Sequence, residues 1–181
     1  MTYIAPLNLT EADTTTAATL NAVKAKIGMI PNLYATLAKA PSALDSFLAQ
    51  NQAAAKGNLS AKEREIISLA TSQVNGCHYC LSAHTLLGKN AGLNPQQIAA
   101  ARAGHGGDAR SAAIAGFAIA LVEQRGHVDP ASLDQFKAAG LTESDFLEII
   151  ANVSTMIFSN YANNVARTAI DFPVVDLKLA A

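Results

Sequence analysis

The chain has 181 residues, with 13 basic and 14 acidic side chains and a formal net charge of −1. This balance argues against a nucleic-acid-binding protein, which normally carries a basic surface. A chain that is 50% apolar and 15% charged does not have the composition of a disordered protein. Two cysteines are too few for a disulfide scaffold. No apolar run reaches the length of about 18 residues that a membrane span needs, so we expect no membrane partner.

The length and the N-terminus together predict a single domain in the cytoplasm. No linker or low-complexity segment divides the chain, so we expect one domain over residues 1–181. Residues 1–6 lack the basic and apolar segments of a signal peptide. In the cytoplasm a cysteine pair serves redox or metal chemistry more often than a structural bridge. The low charge leaves much neutral surface, which suits burial between subunits of a homo-oligomer.

Helix signals dominate the chain, whereas strand signals are scarce. Alanine, the strongest helix former, accounts for 37 residues. The β-branched pair Val174-Val175 is isolated and has no hairpin partner. The composition and the short links between helical segments therefore predict an all-α fold, a helical bundle with short loops.

Helix caps locate about eight helices along the chain. Thr10, followed by Asp13, is assigned as the first N-cap, and Ser60-Ala61-Lys62-Glu63 forms a capping box before a central helix. The first predicted helix runs from Thr10 to Gly28, and the next two begin near Pro31 and Pro41. The later predicted helices span Ser60 to Asn75, Cys77 to Ala91, Asn94 to Gly104, Asp108 to Gln124, Asp129 to Gly140 and Thr142 to about Ile170.

The segment Cys77-His78-Tyr79-Cys80 contains both cysteines of the chain, and His84 follows four residues later. On a helix, residues three apart share a face, and His84 lies on the same face as the two cysteines. The Asn75-Gly76 break places the pair at a helix N-terminus, where the partial positive charge favours thiolate over thiol. A nearby histidine can accept the thiol proton or, once protonated, stabilise the anion. The pattern indicates a reactive dithiol.

The residues alone leave open which of the two cysteines is the more reactive. The helix dipole favours Cys77, because its effect fades within the first turn. The contact between positions i and i+4 favours Cys80, because it places His84 beside that thiol. His78 lies on a different face of the helix, and we expect it at the surface.

Metal binding and inert burial are the competing interpretations of the cysteine pair. A structural zinc site needs four ligands, and only one Cys-x-x-Cys half is present. His78, His84 and Glu65 could complete a site, but none forms a second pair at a familiar spacing, so we expect no metal. Haem attachment would need a histidine where Leu81 stands, and no βαβ or phosphate-loop pattern indicates another cofactor. The remaining alternative is that both cysteines are small buried helix residues.

Other polar side chains receive structural interpretations. His105 and His127 lie in glycine-flanked loops, and we expect no catalytic role for either. Asp108 is assigned as a helix cap, and Arg110 as a surface or intersubunit charge. By position alone, a glutamate in the second turn of a helix, such as Glu65, is usually solvated. An apolar stripe on the alanine-rich helix is assigned to the core or an interface: Phe117 and Leu121.

The run from Glu65 to His84 resembles the signature of AhpD-like alkylhydroperoxidases, within the carboxymuconolactone decarboxylase superfamily. That signature is a glutamate, eleven residues, Cys-x-x-Cys, three residues and a histidine, and this chain matches it without a gap. Residues 30–34 (Ile-Pro-Asn-Leu-Tyr) and 171–175 (Asp-Phe-Pro-Val-Val) also resemble the peroxidase-related branch of the family. The likeness covers most of the chain, with its redox motif in residues 60–92.

The resemblance implies an all-helical homo-oligomer, commonly a trimer or hexamer, with thiol peroxidase or disulfide reductase activity. By analogy, Cys80 is the peroxidatic thiol and Cys77 the resolving thiol, and His84 and Glu65 form a proton relay. Some peroxidases of the family carry a histidine just before the second cysteine. This chain has Tyr79 there, so its relay lacks one member.

The expected function is therefore that of a thiol-dependent alkylhydroperoxide reductase in antioxidant defence, with no cofactor. Its partners would be a small hydroperoxide and an external dithiol or disulfide-reducing protein. Three alternatives stay open: a disulfide oxidoreductase or adapter without efficient peroxidase turnover, a lyase of the carboxymuconolactone decarboxylase type, and a non-catalytic helical oligomer. The superfamily's decarboxylases generally lack the cysteine pair, which argues against the lyase.

Overall fold

The computed structural model describes residues 1–179, and within them it contains nine α-helices, one short 3-10 turn and no strand. The all-α prediction is confirmed, with nine helices in place of about eight. The last two residues of the domain predicted over 1–181 lie outside the described residues. After the 3-10 turn at Leu9–Glu11, the helices are α1 (Thr14–Ile27), α2 (Asn32–Leu37), α3 (Pro41–Ala54), α4 (Ala61–Val74), α5 (His78–Asn90), α6 (Pro95–Arg102), α7 (Ala109–Glu123), α8 (Pro130–Ala138) and α9 (Glu143–Ala166).

The capping box predicted at the start of α4 forms, and the predicted helix starts at Asn94 and Thr142 also have capping boxes, because each cap is a local exchange of hydrogen bonds. At α4, Ser60 Oγ accepts from the backbone N–H of Glu63, and the Glu63 carboxylate accepts from the backbone N–H of Ser60. Asn94 and Thr142 make the equivalent exchange at α6 and α9. Asp108 caps α7 as predicted, through a bond from the backbone N–H of Ser111.

Two predicted helix ends are wrong. Thr10 does not cap α1. It lies in the 3-10 turn capped by Asn8, and Asp13 caps α1 by accepting from two backbone N–H groups of the first turn. The last helix ends at Ala166, short of Ile170, because Arg167 adopts left-handed backbone angles and closes it.

Helix α4 is the centre of the fold and packs against α5, α6, α7 and α9. One apolar cluster surrounds it on the α7 side, where Phe117 is buried and Leu121 packs against it, so the predicted core stripe is confirmed. A second cluster forms between α2, α3, α5 and α9, and both cysteines belong to it. None of the helices within residues 1–179 is long and apolar enough to cross a bilayer.

Arg110 joins the N-terminal turns of α4 and α9 to α7 and, as predicted, is a charge at the surface, with its side chain 37% exposed. Its guanidinium donates to Glu63 Oε1 and Asp145 Oδ1, both at 2.7 Å, and to the carbonyl of Gly140 at 3.0 Å. The Asp145 side chain is 8% exposed. Hydrogen bonds from Arg110 hold the pKa of Asp145 well below its usual range.

Replacing Arg110 with methionine is expected to lower the free energy of unfolding by about 2 kcal/mol at pH 7. Stability is lost because the variant leaves the buried Asp145 carboxylate without its cation. The loss is smaller than for a fully buried ion pair because the Arg110 side chain is 37% exposed. The depressed pKa of Asp145 contributes stability above its unfolded value, so the difference should shrink as the pH falls below about 4. Urea unfolding measures both effects.

Lys137→Met, which removes an exposed 3.6 Å pair with Glu143, is the control and should change stability by less than about 0.5 kcal/mol. Equal losses for the two variants would contradict this prediction.

Candidate active site

The turn between α4 and α5 sets the position of the first cysteine. Gly76 adopts a positive φ of 60°, a conformation that favours glycine, and turns the chain so that Cys77 becomes the N-cap of α5. The helix begins one residue later than predicted, at His78. The Cys77 sulfur accepts a hydrogen bond from the backbone N–H of Cys80 at 3.3 Å. Cys77 is fully buried, so its thiol lies beneath the first turn of α5.

Cys80 lies one turn along α5 and faces α9. Asn163 Nδ2 donates to Cys80 Sγ at 3.2 Å, and the Cys80 thiol makes a long contact of 4.0 Å with Ser159 Oγ. The residue is 2% exposed, and both cysteines are free thiols. The two residues from α9 were not predicted from the sequence.

Glu65 on α4 and His84 on α5 form a hydrogen-bonded ion pair. His84 Nδ1 donates to Glu65 Oε2 at 2.7 Å, with side chains 19% and 17% exposed respectively. Glu65 is therefore not the solvated side chain that its helix position suggests. Because the carboxylate occupies Nδ1, Nε2 of the imidazole is left for a different partner. Within residues 1–179 His84 makes no hydrogen bond to Cys80, so its effect on the pKa of that thiol is electrostatic.

A cavity of about 230 Å³ brings three of the four predicted site residues into one wall. Cys80, Glu65 and His84 line it, whereas Cys77 lies behind Cys80 and outside the lining. Most of the remaining wall is apolar or aromatic. These lining residues come from α1 to α3, α9 and the C-terminal segment: Ile27, Leu33, Tyr34, Phe47, Met156 and Phe172.

The environment separates the pKa values of the two thiols. Burial by itself raises the pKa of Cys80. The hydrogen bond from Cys77, the charge of His84 and the amides of Asn160 and Asn163 outweigh it and lower that pKa to about 6. Hydrogen bonding to Cys80 and burial raise the pKa of Cys77. These opposite shifts favour Cys80, the thiol nearer His84, as the one that ionises first.

The surroundings of His84 favour the charged form of its imidazole. Burial lowers the pKa of His84, but the charge of Glu65 and the hydrogen bond to it prevail, and the net shift is upward. The buried Cys80 thiolate contributes in the same direction. The site thus brings a carboxyl group, an imidazole and a thiol together on one side of an apolar cavity.

Tyr79 joins α5 to α2, and within residues 1–179 its hydroxyl makes no hydrogen bond to either sulfur. Its hydroxyl accepts a hydrogen bond from the backbone N–H of Leu33 at 3.2 Å, and its ring packs edge-on against Phe172 at 5.6 Å. Burial raises the pKa of Tyr79, so the hydroxyl stays protonated. Tyr79 is therefore a packing residue with a bonded hydroxyl.

The expectation that His78 lies at the surface is wrong. His78 is half-buried, and its Nε2 donates to the carbonyl of Val175 at 2.6 Å, which holds the C-terminal segment against α5. His105 and His127 do not line the cavity. No cluster of three or more His, Cys, Asp or Glu side chains within residues 1–179 has the geometry to hold a metal ion.

Replacing Tyr79 with phenylalanine should lower the free energy of unfolding by about 1 kcal/mol, because it leaves the buried N–H of Leu33 without an acceptor. The reactivity of Cys80 should change by less than about threefold, since the hydroxyl contacts neither sulfur. Urea unfolding and the rate of iodoacetamide alkylation measure the two effects. A tenfold loss of reactivity in a folded variant would show that the hydroxyl acts on the thiol.

Comparison with known proteins identifies relatives of the fold. A model of the carboxymuconolactone decarboxylase family matches residues 39–124, which contain Glu65, both cysteines and His84. No curated protein matches the sequence significantly. An uncharacterized peroxidase-related protein from Ralstonia eutropha JMP134, described as an alkylhydroperoxidase AhpD core, is 24% identical, with a TM-score of 0.84 over 94% of this chain and 92% of that chain.

Two further solved structures have the same fold. A peroxidase-related protein from Silicibacter sp. TM1040 is 23% identical, with a TM-score of 0.79 over 92% of this chain and 91% of that chain. The debrominase Bmp8, solved as a cysteine-to-alanine variant with 2,3,4-tribromopyrrole, is 20% identical, with a TM-score of 0.79 over 94% and 92%. At these identities the likeness establishes a shared architecture. The family match spans the cysteine motif, so residues 39–124 are similar to the carboxymuconolactone decarboxylase family, and the chain has the fold of the solved AhpD-like structures.

Proposed function

We propose that this chain is a thiol-dependent peroxidase that reduces small organic hydroperoxides with the Cys77–Cys80 dithiol. The observation that carries the proposal is the position of Cys80. Its thiol, with a pKa lowered to about 6, lies in the wall of an apolar cavity, while Cys77 lies directly behind it. Only the thiolate is a good nucleophile, and at neutral pH most of Cys80 is in that form.

In the first proposed step the Cys80 thiolate attacks the terminal oxygen of the hydroperoxide, and the O–O bond breaks. The sulfur is oxidised to a sulfenic acid, and the leaving alkoxide takes one proton to become the alcohol. His84 can supply that proton from Nε2, because Nδ1 is held by Glu65 at 2.7 Å. The charge of the imidazolium also stabilises the thiolate before the attack.

In the second proposed step the Cys77 sulfur attacks the sulfenic acid, a disulfide forms and water leaves. The raised pKa of Cys77 keeps that thiol protonated until Cys80 has lost its charge, so the two cysteines act in a fixed order. An external dithiol then reduces the disulfide by thiol–disulfide exchange and restores both thiols. Such a cycle would serve antioxidant defence without a bound cofactor.

The cavity supports a small apolar substrate. Its volume of about 230 Å³ lies below the roughly 300–1,000 Å³ of sites for drug-sized ligands. Aromatic side chains from three helices and from the C-terminal segment surround it: Tyr34, Phe47, Tyr79 and Phe172. We therefore expect a compact hydroperoxide with a hydrocarbon body in preference to hydrogen peroxide.

Steady-state turnover of cumene hydroperoxide with dithiothreitol tests the proposal. We expect the alcohol to form in a one-to-one ratio with oxidised dithiothreitol, at a rate proportional to protein concentration. Because dithiothreitol reacts slowly with peroxides by itself, the matched control is the same mixture without protein. A rate equal to that control would reject the peroxidase and favour a disulfide oxidoreductase that passes electrons to another protein.

Reductive debromination is a second candidate, favoured by the likeness to a debrominase solved with a brominated pyrrole and by the aromatic lining of the cavity. A dithiol can supply the two electrons. The carbon–bromine bond is replaced by carbon–hydrogen, bromide leaves, and the dithiol becomes a disulfide. Bromide release from 2,3,4-tribromopyrrole with dithiothreitol, in the absence of peroxide turnover, would favour this reaction.

We also propose a homo-oligomer, such as a trimer or hexamer, and one domain over residues 1–181. Several large apolar side chains on α9 are exposed, which suits burial against another subunit: Leu147, Ile150, Tyr161 and Val165. Sedimentation at several protein concentrations tests the oligomer, and a monomer throughout would contradict it.

A further inference from the structure

The Asn163 side chain has one polar partner within the described residues, and that partner is the sulfur of Cys80. Its Nδ2 donates to Cys80 Sγ at 3.2 Å, and its Oδ1 is buried without a hydrogen bond. The residue is 3% exposed. A buried amide oxygen without a partner is destabilising, so hydrogen bonding within the fold does not account for an asparagine at this position.

Neighbouring polar residues on the same face of α9 have structural partners. Asn160 donates to Ser72 Oγ at 3.3 Å and accepts from Asn75 Nδ2 at 2.9 Å, so it joins α9 to the end of α4. Ser159 donates to the carbonyl of Met156 at 3.0 Å, which leaves no hydroxyl hydrogen for the thiolate. Asn160 also lowers the pKa of Cys80, but its amide is bonded to Ser72 and Asn75 as well. Asn163 is the residue of the three whose only side-chain hydrogen bond is to the nucleophile.

We infer that Asn163 is a further catalytic residue, which binds the Cys80 thiolate and favours the reduced dithiol over the Cys77–Cys80 disulfide. The inference deepens the proposed function and rests on the same cysteine pair. A hydrogen bond from an amide to a sulfur anion is stronger than one to a neutral sulfur, because the acceptor carries the charge. In the disulfide the Cys80 sulfur is neutral, so the additional strength that the thiolate charge gives to the hydrogen bond from Asn163 is lost.

The consequence is a more oxidising disulfide. Reduction by glutathione converts the disulfide and two glutathione molecules into the two protein thiols and glutathione disulfide. Any interaction specific to the thiolate shifts this equilibrium toward the reduced protein. Asn163 would therefore help an external dithiol to restore the active form after each turnover.

The test measures the Cys80 thiolate and the glutathione equilibrium in the full chain, without any hydroperoxide. For Asn163→Leu, which has a similar size and no donor, we expect the thiolate absorbance titration of Cys80 to move up by about one pH unit. At pH 8 the equilibrium constant for reduction should fall about tenfold, or about 30 mV. At pH 5.5, where Cys80 is largely protonated with or without the amide, it should change by less than about twofold.

Asn163→Asp provides a second variant of the same shape. Its carboxylate would repel the thiolate, so the titration should move further upward than in Asn163→Leu. The matched control is Asn164→Leu, since Asn164 is the exposed neighbour that donates to the carbonyl of Asn75. Circular dichroism establishes that each variant is folded.

An unchanged Cys80 titration in both folded Asn163 variants would overturn the inference. So would a redox shift of equal size at pH 8 and pH 5.5, because a purely structural effect does not depend on the thiolate. A wild-type protein with no hydroperoxide turnover would reject the peroxidase and leave both measurements interpretable, so the two failures are distinguishable.

Discussion

Replacing Cys80 with serine is expected to lower hydroperoxide turnover by on the order of 10³-fold or more, because the serine hydroxyl is not ionised at neutral pH and cannot act as the nucleophile. Replacing Cys77 with serine should have a different effect. Cys80 keeps its position beside Asn163 and His84, so its thiolate still attacks, but no second thiol is present to form the disulfide.

A single turnover without reductant separates the two cysteines. Pre-reduced wild-type protein should consume one equivalent of cumene hydroperoxide and end as the disulfide. Cys77→Ser should also consume one equivalent and end as a sulfenic acid on Cys80, which dimedone traps and mass spectrometry locates. Cys80→Ser should consume none. A trapped sulfenic acid on Cys77 would reverse the assigned order.

The helices were predictable where their signals are local. The capping box at Ser60 and the cap at Thr142 depend on residues three apart in the chain, and both helix starts form as predicted. Thr10 shows the limit of this reasoning. Two residues that are favourable as N-caps, Thr10 and Asp13, lie three residues apart, and Asp13 is the one that caps α1. The end of α9 carried no glycine signal, since the residue that adopts the left-handed conformation is Arg167.

The candidate site was predictable only in part, for a physical reason. Cys80 and His84 lie one helical turn apart, so sequence spacing places them on one face. Glu65 lies on the preceding helix, and its position beside His84 was implied by the family signature, not by helix geometry. Asn163 is 83 residues from Cys80, and only the packing of α9 against α5 brings the two together.

The same limit explains what the sequence did not reveal about Arg110 and His78. The ion pairs of Arg110 were not predicted because its two partners, Glu63 and Asp145, lie 47 and 35 residues away. His78 was assigned to the surface because its acceptor, the carbonyl of Val175, belongs to the C-terminal segment. A polar residue in a helix is solvated by default, and tertiary partners that reverse this default leave no periodic signal in the sequence.

The pH dependence of Cys80 is expected to respond most to His84. In wild-type protein the alkylation rate should rise as the pH increases through about 6 and level off above it, because only the thiolate reacts. For His84→Gln the imidazolium charge is lost, and we expect the pKa of Cys80 to rise by about two units. At pH 6 that change lowers the thiolate fraction and the rate about 50-fold, whereas at pH 9 both proteins are almost fully ionised and should react at nearly equal rates.

Two further variants identify the source of that effect. Glu65→Gln keeps a hydrogen-bond acceptor for His84 but removes the charge that raises the pKa of His84, so its alkylation profile should lie between those of wild type and His84→Gln. His127→Gln replaces an exposed histidine outside the cavity and should leave the profile unchanged. Iodoacetamide alkylation from pH 5 to pH 9, followed by mass spectrometry of Cys80, gives all four profiles. Coinciding wild-type and His84→Gln profiles would mean that the hydrogen bonds from Cys77, Asn160 and Asn163, without the imidazolium, are sufficient to activate Cys80.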